Sequence, residues 1–251
     1  MTALKITPVA DVELTRAWAV YGRSGTGKTT FASTFPKPIL LLDIEDHGID
    51  SIKDVEGVDV AQIKRWGDLD EVYDTLIDRK NKYKTVVFDT ITQLQLIGCN
   101  HILSKKRKPT VVQIDWGTMT MQDWGDLGAL MKEQITLFRN LPIDAVFLAQ
   151  ERISSNDDDS GRVLAPEVGP ALSPAIASHL NASVSVILST YIKRRRKKVN
   201  GKTVEVEPIH AMRVGPDAYY TTKVRKAKTI QLPRDLEDPT YQDVMEIIRG
   251  E

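Results

Sequence analysis

The sequence predicts an α/β protein with a mainly parallel β-sheet flanked by helices, and three observations support this fold class. Short apolar runs alternate with segments of helical spacing. Two of these runs, Ile39–Leu42 and Thr85–Phe88, are each followed by an aspartate, as is typical of buried strands that end at a ligand crevice. A glycine-rich turn follows a third run, Trp18–Tyr21. Strands separated by helices favour a parallel sheet with helices on both faces.

The remaining elements follow from local patterns. The first helix is predicted at Thr30–Phe35, because Pro36 stops it. Further strands are predicted at Val58–Ile63, Ala145–Leu148 and Ser183–Tyr191, and further helices at Asp123–Asn140, at Pro170–Leu180 and from Asp68, where Leu69, Val72, Tyr73, Leu76 and Ile77 have helical spacing. The polar and acidic segment 154–161 has no periodicity, which predicts a loop. Residues 193–206 predict a β-hairpin that turns at Asn200-Gly201.

Length and composition limit the architecture and the location. The 251 residues suffice for one sizeable core, and we expect a single domain over residues 1–251 with a β-rich C-terminal part at about 183–230. No apolar run reaches the roughly 18 residues of a membrane span, and the N-terminus lacks a secretory pattern. The single cysteine, Cys99, fits a reducing compartment. These features predict a cytoplasmic protein with no membrane partner.

The formal net charge of zero hides an uneven distribution. Acidic residues outnumber basic ones between 41 and 80, whereas basic residues dominate between 191 and 228. This asymmetry indicates a face that binds a polyanion, with solvated surface as the alternative interpretation.

Residues 22–29 match the phosphate-binding pattern G-x-x-x-x-G-K-[ST] between a predicted strand and a predicted helix. Glycines let successive backbone N–H groups wrap around phosphate oxygens, and the following helix offers its positive N-terminus. Lys28 is expected to contact the β- and γ-phosphates and Thr29 to hold Mg²⁺. The predicted nucleotide-binding residues are Gly22, Arg23, Ser24, Gly25, Thr26, Gly27, Lys28, Thr29 and Thr30, and the predicted cofactors are ATP and Mg²⁺.

Carboxylates at two strand ends complete the predicted chemistry. Asp89 ends the run Val86–Phe88 and is the expected partner of Thr29 at Mg²⁺, although an aspartate there can also cap a turn. Asp43 and Glu45 follow another buried strand. Either of them could orient and deprotonate the attacking water, and their spacing alone leaves both open.

Several segments resemble those of RecA-type recombinases. The segment Leu42–Asp50 is similar to the one that carries the catalytic glutamate, which implies that Glu45 is the general base. Val86–Thr92 resembles the Walker B strand. Phe147–Gln150 resembles the strand whose glutamine senses the γ-phosphate, which implies a catalytic role for Gln150 and a DNA-binding loop at residues 151–170.

The chain is more similar to short phage-encoded ATPases that consist of a RecA core alone, classed as AAA-family ATPases or RecA-like single-strand annealing proteins. The shared segments are Thr29–Ala32, Asp43 with Glu45, Tyr83–Thr90, Asp123–Gly125 and Thr222–Arg225. The resemblance implies a RecA-like P-loop core with a C-terminal β-hairpin extension, in the host cytoplasm if phage-encoded. It implies a DNA-stimulated, weak ATPase that binds single-stranded DNA and promotes annealing or strand pairing.

The same resemblance implies an oligomer, either a filament or a ring. In it Lys223 and Arg225 reach the ATP of a neighbouring subunit. A single-strand binding protein is a further expected partner.

Two basic runs are candidate contacts for DNA phosphates, with solvated loops as the alternative. Stacking of bases would need aromatic side chains; Trp116 and Trp124 lie near the first run, and we interpret Trp124 as a core residue. The histidines have no metal-ligand spacing and are interpreted as structural or surface residues. The predicted DNA contacts are Lys105, Lys106, Arg107, Lys108, Arg152, Arg162, Arg194, Arg195, Arg196, Lys197 and Lys198.

Two other classes of function compete with recombination. A P-loop kinase for small molecules or nucleotides usually has a mobile lid with several arginines, and the continuous run at 193–198 fits a hairpin better than a lid. A ring-forming, helicase-like ATPase or a loader that acts through a protein partner is the other alternative.

Overall fold

A computed structural model describes residues 15–44, 48–78, 80–106, 118–154, 165–199, 202–226 and 229–251, with only the backbone described at 197–199 and 202–204. The elements in chain order are β1 Ala17–Tyr21, α1 Lys28–Ala32, β2 Ile39–Asp43, a 3-10 helix Gly48–Ile52, β3 Val58–Gln62, α2 Asp68–Ile77, β4 Thr85–Asp89, α3 Ile91–Lys106, α4 Met121–Arg139, β5 Asp144–Ala149, β6 Glu151–Ser154, β7 Glu167–Pro170, α5 Pro174–Ser183, β8 Val186–Val199, β9 Lys202–Arg213, β10 Lys223–Val224, β11 Asp235–Glu237 and α6 Tyr241–Arg249.

The main sheet has a parallel core in the order β8-β1-β5-β4-β2-β3. On the far side of β8, β9 and β10 pair with it antiparallel, and β11 pairs with β9. Every residue of β1, β2, β4 and β5 is buried, which explains why the interiors of these strands are continuous apolar runs rather than alternating patterns. The predicted α/β class with a mainly parallel sheet and a C-terminal β-hairpin is confirmed.

Helices cover both faces of the sheet. On one face, side chains from α2 to α5, such as Leu69, Leu127 and Leu180, form one buried cluster. On the other face, Phe31 of α1 and Val244 of α6 belong to a second cluster. Burying both faces leaves the edge at the carboxyl ends of the parallel strands for a ligand.

The sequence missed two helices. Helix α3 buries side chains such as Leu94 and Cys99 on several sides, so it lacks the apolar stripe that reveals a helix. Helix α6 begins with a capping box in which Thr240 and Asp243 bond each other's backbone N–H groups. That T-x-x-D signature could have revealed α6.

Several predicted boundaries were displaced. Helix α1 already begins at Lys28, and α4 begins at Met121 because Thr120 caps it. Strand β8 continues through the basic run to Val199 rather than ending at Tyr191. The hairpin of β8 and β9 is therefore longer than predicted. The segment of this hairpin from Tyr191 to His210 that extends beyond the end of β1 is called the basic arm below.

Candidate nucleotide-binding site

The loop between β1 and α1 has the backbone of a phosphate cradle. Gly25 and Gly27 have φ angles of 76° and 86°, a left-handed region that side chains rarely adopt. Strand β8 supports the loop from below, where Thr190 shares a 2.7 Å hydrogen bond with the Thr26 hydroxyl. Both threonines are buried, so the position of the loop is set by the sheet.

Gly22 is the position in this loop where a side chain has the least room. A Cβ there would lie 2.3 Å from Thr190 Oγ1 and 2.5 Å from its carbonyl oxygen. We expect Gly22→Ala to lower the free energy of unfolding by about 1–3 kcal/mol, because overpacking must displace backbone. Chemical denaturation measures this. Gly25→Ala is the comparison, since no atom lies within 4 Å of its Cβ and only the positive φ opposes it, at a cost of about 1–2 kcal/mol. A negligible loss in Gly22→Ala beside a clear loss in Gly25→Ala would contradict the steric explanation.

Lys28 is buried under the loop, with 6% of its surface exposed. Its Nζ donates to the carbonyl oxygens of Gly22 and Arg23 at 3.0 and 2.9 Å. This places the ammonium group inside the curve of the loop, next to the N-terminus of α1. Both the positive charge of Lys28 and the N–H groups at the helix N-terminus suit phosphate oxygens.

Thr29 and Asp89 meet at the end of β4. The Thr29 hydroxyl donates to Asp89 Oδ2 at 2.7 Å, and Asp89 is 3% exposed. Gly48 borders the pair: a Cβ there would lie 3.2 Å from Asp89 Oδ2 and 3.4 Å from Thr29 Oγ1. Two hard oxygen donors beside a space kept open by a glycine fit Mg²⁺, which binds through few protein oxygens and the nucleotide's phosphates.

Two of the three catalytic candidates, Asp43 and Gln150, lie near this pair. Asp43 is in register with Asp89 on the adjacent strand and is also buried. Glu45 lies outside the described residues. Gln150 follows β5, and its backbone N–H donates to Thr92 Oγ1 at 3.1 Å. A cleft of about 370 Å³ brings predicted residues together, among them Ser24, Gly25, Lys28, Thr29, Asp89 and Gln150.

Comparison with known proteins agrees with this geometry. The family model described as "AAA domain" matches residues 15–213. The chain belongs to the AAA domain family. With the sheet and the phosphate loop above, this makes it an AAA-type P-loop ATPase with an α/β fold, as predicted. No curated protein sequence matches the chain.

Two solved structures are similar to this AAA domain. A KaiC-like protein of Pyrococcus horikoshii OT3 has a TM-score of 0.45 at 12% identity, over 89% of each chain. The flagellar accessory protein FlaH of Methanocaldococcus jannaschii has a TM-score of 0.38 at 11% identity, over 82% of this chain and 78% of that one. Such low identities concern the fold alone.

In this AAA domain an ion pair links the phosphate loop to the hairpin of β6 and β7. Arg23 Nε lies 2.6 Å from Glu151 Oε1, and this hydrogen bond raises the pKa of the guanidinium. Glu151 directly follows Gln150. The hairpin is further held by Tyr21, whose hydroxyl donates to the Val168 carbonyl at 2.9 Å. Two contacts thus connect the nucleotide cleft and the hairpin, one from the phosphate loop and one from the end of β1.

Lys223 and Arg225 follow the matched residues and lie beside β8, away from the end of β1 that enters the phosphate loop. Lys223 pairs with Ile187, which is level with Ala19 in the middle of β1. Its Nζ donates to the Asn181 carbonyl at 2.7 Å, and Arg225 Nη2 reaches the Ala182 carbonyl at 3.5 Å. Both cations bind the C-terminal carbonyls of α5, and burial lowers the pKa of Lys223.

The predicted DNA contacts are spread over three regions. Lys105 and Lys106 end helix α3 rather than lying in a loop, and Lys106 pairs with the buried Asp123. On the basic arm, Arg195 is 3.7 Å from Glu237 and Arg196 is 3.6 Å from Glu205, so part of its charge is offset. Arg107, Lys108, Arg162 and the side chains of Lys197 and Lys198 lie outside what the structure describes.

For two residues near these regions, the structure differs from the interpretation that the sequence suggested. Trp124 is 42% exposed on α4, so its assignment to the core was wrong. It lines a groove of about 460 Å³ with Arg152, Gln95 and Leu172. His210 lines the nucleotide cleft from β9, and no local motif marks it.

Of the described helices, none is long and apolar enough to cross a membrane.

Proposed function

We propose that this AAA domain is an ATP-hydrolysing DNA recombination protein that binds single-stranded DNA and promotes annealing or strand pairing. The observation that carries the proposal is the connection between the nucleotide cleft and a groove with an exposed aromatic and a cation. Gln150 lines the cleft, Glu151 pairs with Arg23 of the phosphate loop, and the next residue, Arg152, lines the groove with Trp124.

The groove has the chemistry of a single-strand site. Trp124 offers an exposed ring on which a base can stack, whatever its sequence. Arg152 is exposed and its Nη1 donates to the Leu172 carbonyl at 3.3 Å, which holds the guanidinium at the groove. Exposed Ile153 adds apolar surface on the same hairpin. The basic arm, with Arg194, supplies further positive charge at the nucleotide edge of the sheet.

Within the cleft each side chain has a defined task. Backbone N–H groups of the loop and Lys28 bind the phosphates, and Thr29 with Asp89 would hold Mg²⁺, which neutralises charge on the phosphates. Glu45 takes the proton of the attacking water. Gln150 contacts the γ-phosphate and couples nucleotide binding to the position of the β6–β7 hairpin. Its carbonyl accepts a hydrogen bond from Ala171 N–H at 2.7 Å, at the other end of the hairpin.

Oligomer formation is part of the proposal. Lys223 and Arg225 lie about two strand residues or more before the level at which β1 enters the phosphate loop, some 7 Å or further along the strand direction. We propose that they contact the ATP of a neighbouring copy rather than their own. We expect homo-oligomers, as a filament or ring, to assemble on single-stranded DNA.

Nucleotide-dependent DNA binding tests the proposal. With a non-hydrolysable ATP analogue, the Kd for a fluorescent oligothymidine is expected to fall about tenfold relative to ADP at fixed salt, because the analogue orders the hairpin. An unchanged Kd would count against the coupling. ATPase activity measured with and without single-stranded DNA separates recombination from the kinase and loader alternatives.

Trp124→Ala is expected to weaken DNA binding about tenfold, since base stacking contributes about 1–3 kcal/mol per base. The matched control is Met121→Ala, three residues earlier on the same helix and 89% exposed. Equal losses in both variants would show that general apolar surface, and not stacking, is responsible.

A further inference from the structure

An arginine lies between two tyrosine rings at the root of the basic arm. The Cζ atom of Arg213 is 3.9 Å from the centre of the Tyr191 ring and 3.7 Å from the centre of the Tyr220 ring. A guanidinium group is planar and delocalised, so it can stack on an aromatic face on each side. All three side chains are partly buried, and such contacts strengthen as the groups leave water.

Two members of this stack belong to the basic arm and its strand. Tyr191 is the first residue of the arm on β8, and Arg213 pairs with Ser189 at the end of β9. His210, three residues before Arg213, lines the nucleotide cleft from the same strand. Because successive residues of a strand point to opposite faces, His210 and Arg213 lie on opposite faces of the sheet.

The third member, Tyr220, is attached to the β6–β7 hairpin. Its neighbours hold it along β7: Val168 N–H donates to the Tyr219 carbonyl at 2.7 Å, and Thr221 N–H donates to the Val168 carbonyl at 2.9 Å. Asp217 Oδ1 accepts from the N–H groups of Tyr219 and Tyr220 at 2.9 and 3.1 Å. The stack therefore joins two segments that have no other element between them, the hairpin and the root of the arm.

We propose that Arg213 is a positioning residue that joins the basic arm to the β6–β7 hairpin, so that ordering of the hairpin by ATP extends to the arm. The inference rests on the proposed function, because that function supplies the change at the hairpin. It adds the link by which two separate DNA-contacting regions respond to the nucleotide together.

Hydrogen–deuterium exchange of the full chain, read by mass spectrometry, tests this link because it reports on the hairpin and the arm in one sample. The complex with Mg²⁺ and a non-hydrolysable ATP analogue is compared with the ADP complex. In the intact protein the analogue is expected to slow exchange about threefold or more in both segments. In Tyr220→Leu and in Arg213→Lys the hairpin should still slow but the arm should not, because one variant lacks the ring and the other the planar cation.

Two control variants separate this role from a general loss of structure. Tyr220→Phe keeps the ring and should keep the response of the arm. Tyr219→Leu removes the neighbouring ring, which is 51% exposed and outside the stack, and should keep the response of both segments.

The possible results are distinct. An arm that still slows in both Tyr220→Leu and Arg213→Lys overturns the proposal and shows that the nucleotide acts on the arm by another route, such as His210. An arm that stays unchanged in the intact protein while the hairpin slows also overturns it, and leaves the proposed function in place. If calorimetry shows nucleotide binding but neither segment slows, the proposed coupling of ATP to the hairpin fails, and this link fails with it.

Discussion

Replacing Asp89 by asparagine is expected to reduce ATP hydrolysis by about 10²–10³-fold. Asp89 Oδ2 is 2.7 Å from the Thr29 hydroxyl, and the residue is 3% exposed. An amide keeps the shape but removes the negative charge that attracts Mg²⁺, so the charge on the phosphates is less well neutralised. Steady-state ATPase assays over a range of Mg²⁺ concentrations measure the loss, and the half-saturating concentration should rise.

Three further variants test the cause of this loss of hydrolysis. Thr29→Ser keeps the hydroxyl and should stay within a few-fold of the parent, whereas Thr29→Val should approach the Asp89→Asn loss. Asp50→Asn removes another carboxylate at the cleft, but its side chain is 78% exposed and pairs with Lys53, so we expect little change. A loss at Asp50 equal to that at Asp89 would show that general negative charge, and not this pair, matters.

The phosphate loop and its partner could be predicted because their chemistry is local in sequence. Gly22–Thr29 is continuous, and Asp89 is marked by the apolar strand before it. Each side chain is positioned by the element on which it lies. The contact between Thr29 and Asp89 then follows from the parallel sheet, in which strand ends meet at one edge.

His210 could not be found in this way. It comes from β9, which no motif links to the loop, and the pairing of β9 with β8 brings it beside Gly27. Trp124 was misassigned because it lies among the apolar residues of α4. Helical spacing shows which residues share a face, but not where the end of a helix extends beyond its neighbours.

The basic residues show a second limit of sequence patterns. A run such as 193–198 predicts positive charge, but partners distant in sequence decide how much of it is available. Glu237 approaches both Lys193 and Arg195, and these exposed pairs are weak and screened by salt. The single-domain organisation and the roles of these cations stay predictions.

Glu45→Gln is expected to keep ATP binding and to reduce turnover by about 10²–10⁴-fold, the usual contribution of a general base. Glu45 lies outside the described residues, but its neighbours on both sides border Asp89. Ile44 N–H donates to the Asp89 carbonyl at 2.8 Å, and Gly48 approaches the Asp89 carboxylate. The short segment that carries Glu45 therefore begins and ends beside the Thr29–Asp89 pair.

Asp43 is the alternative base, and the structure supplies a reason to prefer Glu45. Asp43 is 4% exposed and paired on both sides within the sheet, at the level of Asp89, where an attacking water has little access. Single-turnover hydrolysis and equilibrium ATP binding should be measured for Glu45→Gln and Asp43→Asn in parallel. Unimpaired turnover in Glu45→Gln with a large loss in Asp43→Asn would transfer the role to Asp43. Loss of ATP binding in Glu45→Gln would instead assign the glutamate to binding, because a general base acts on the water and not on the bound nucleotide.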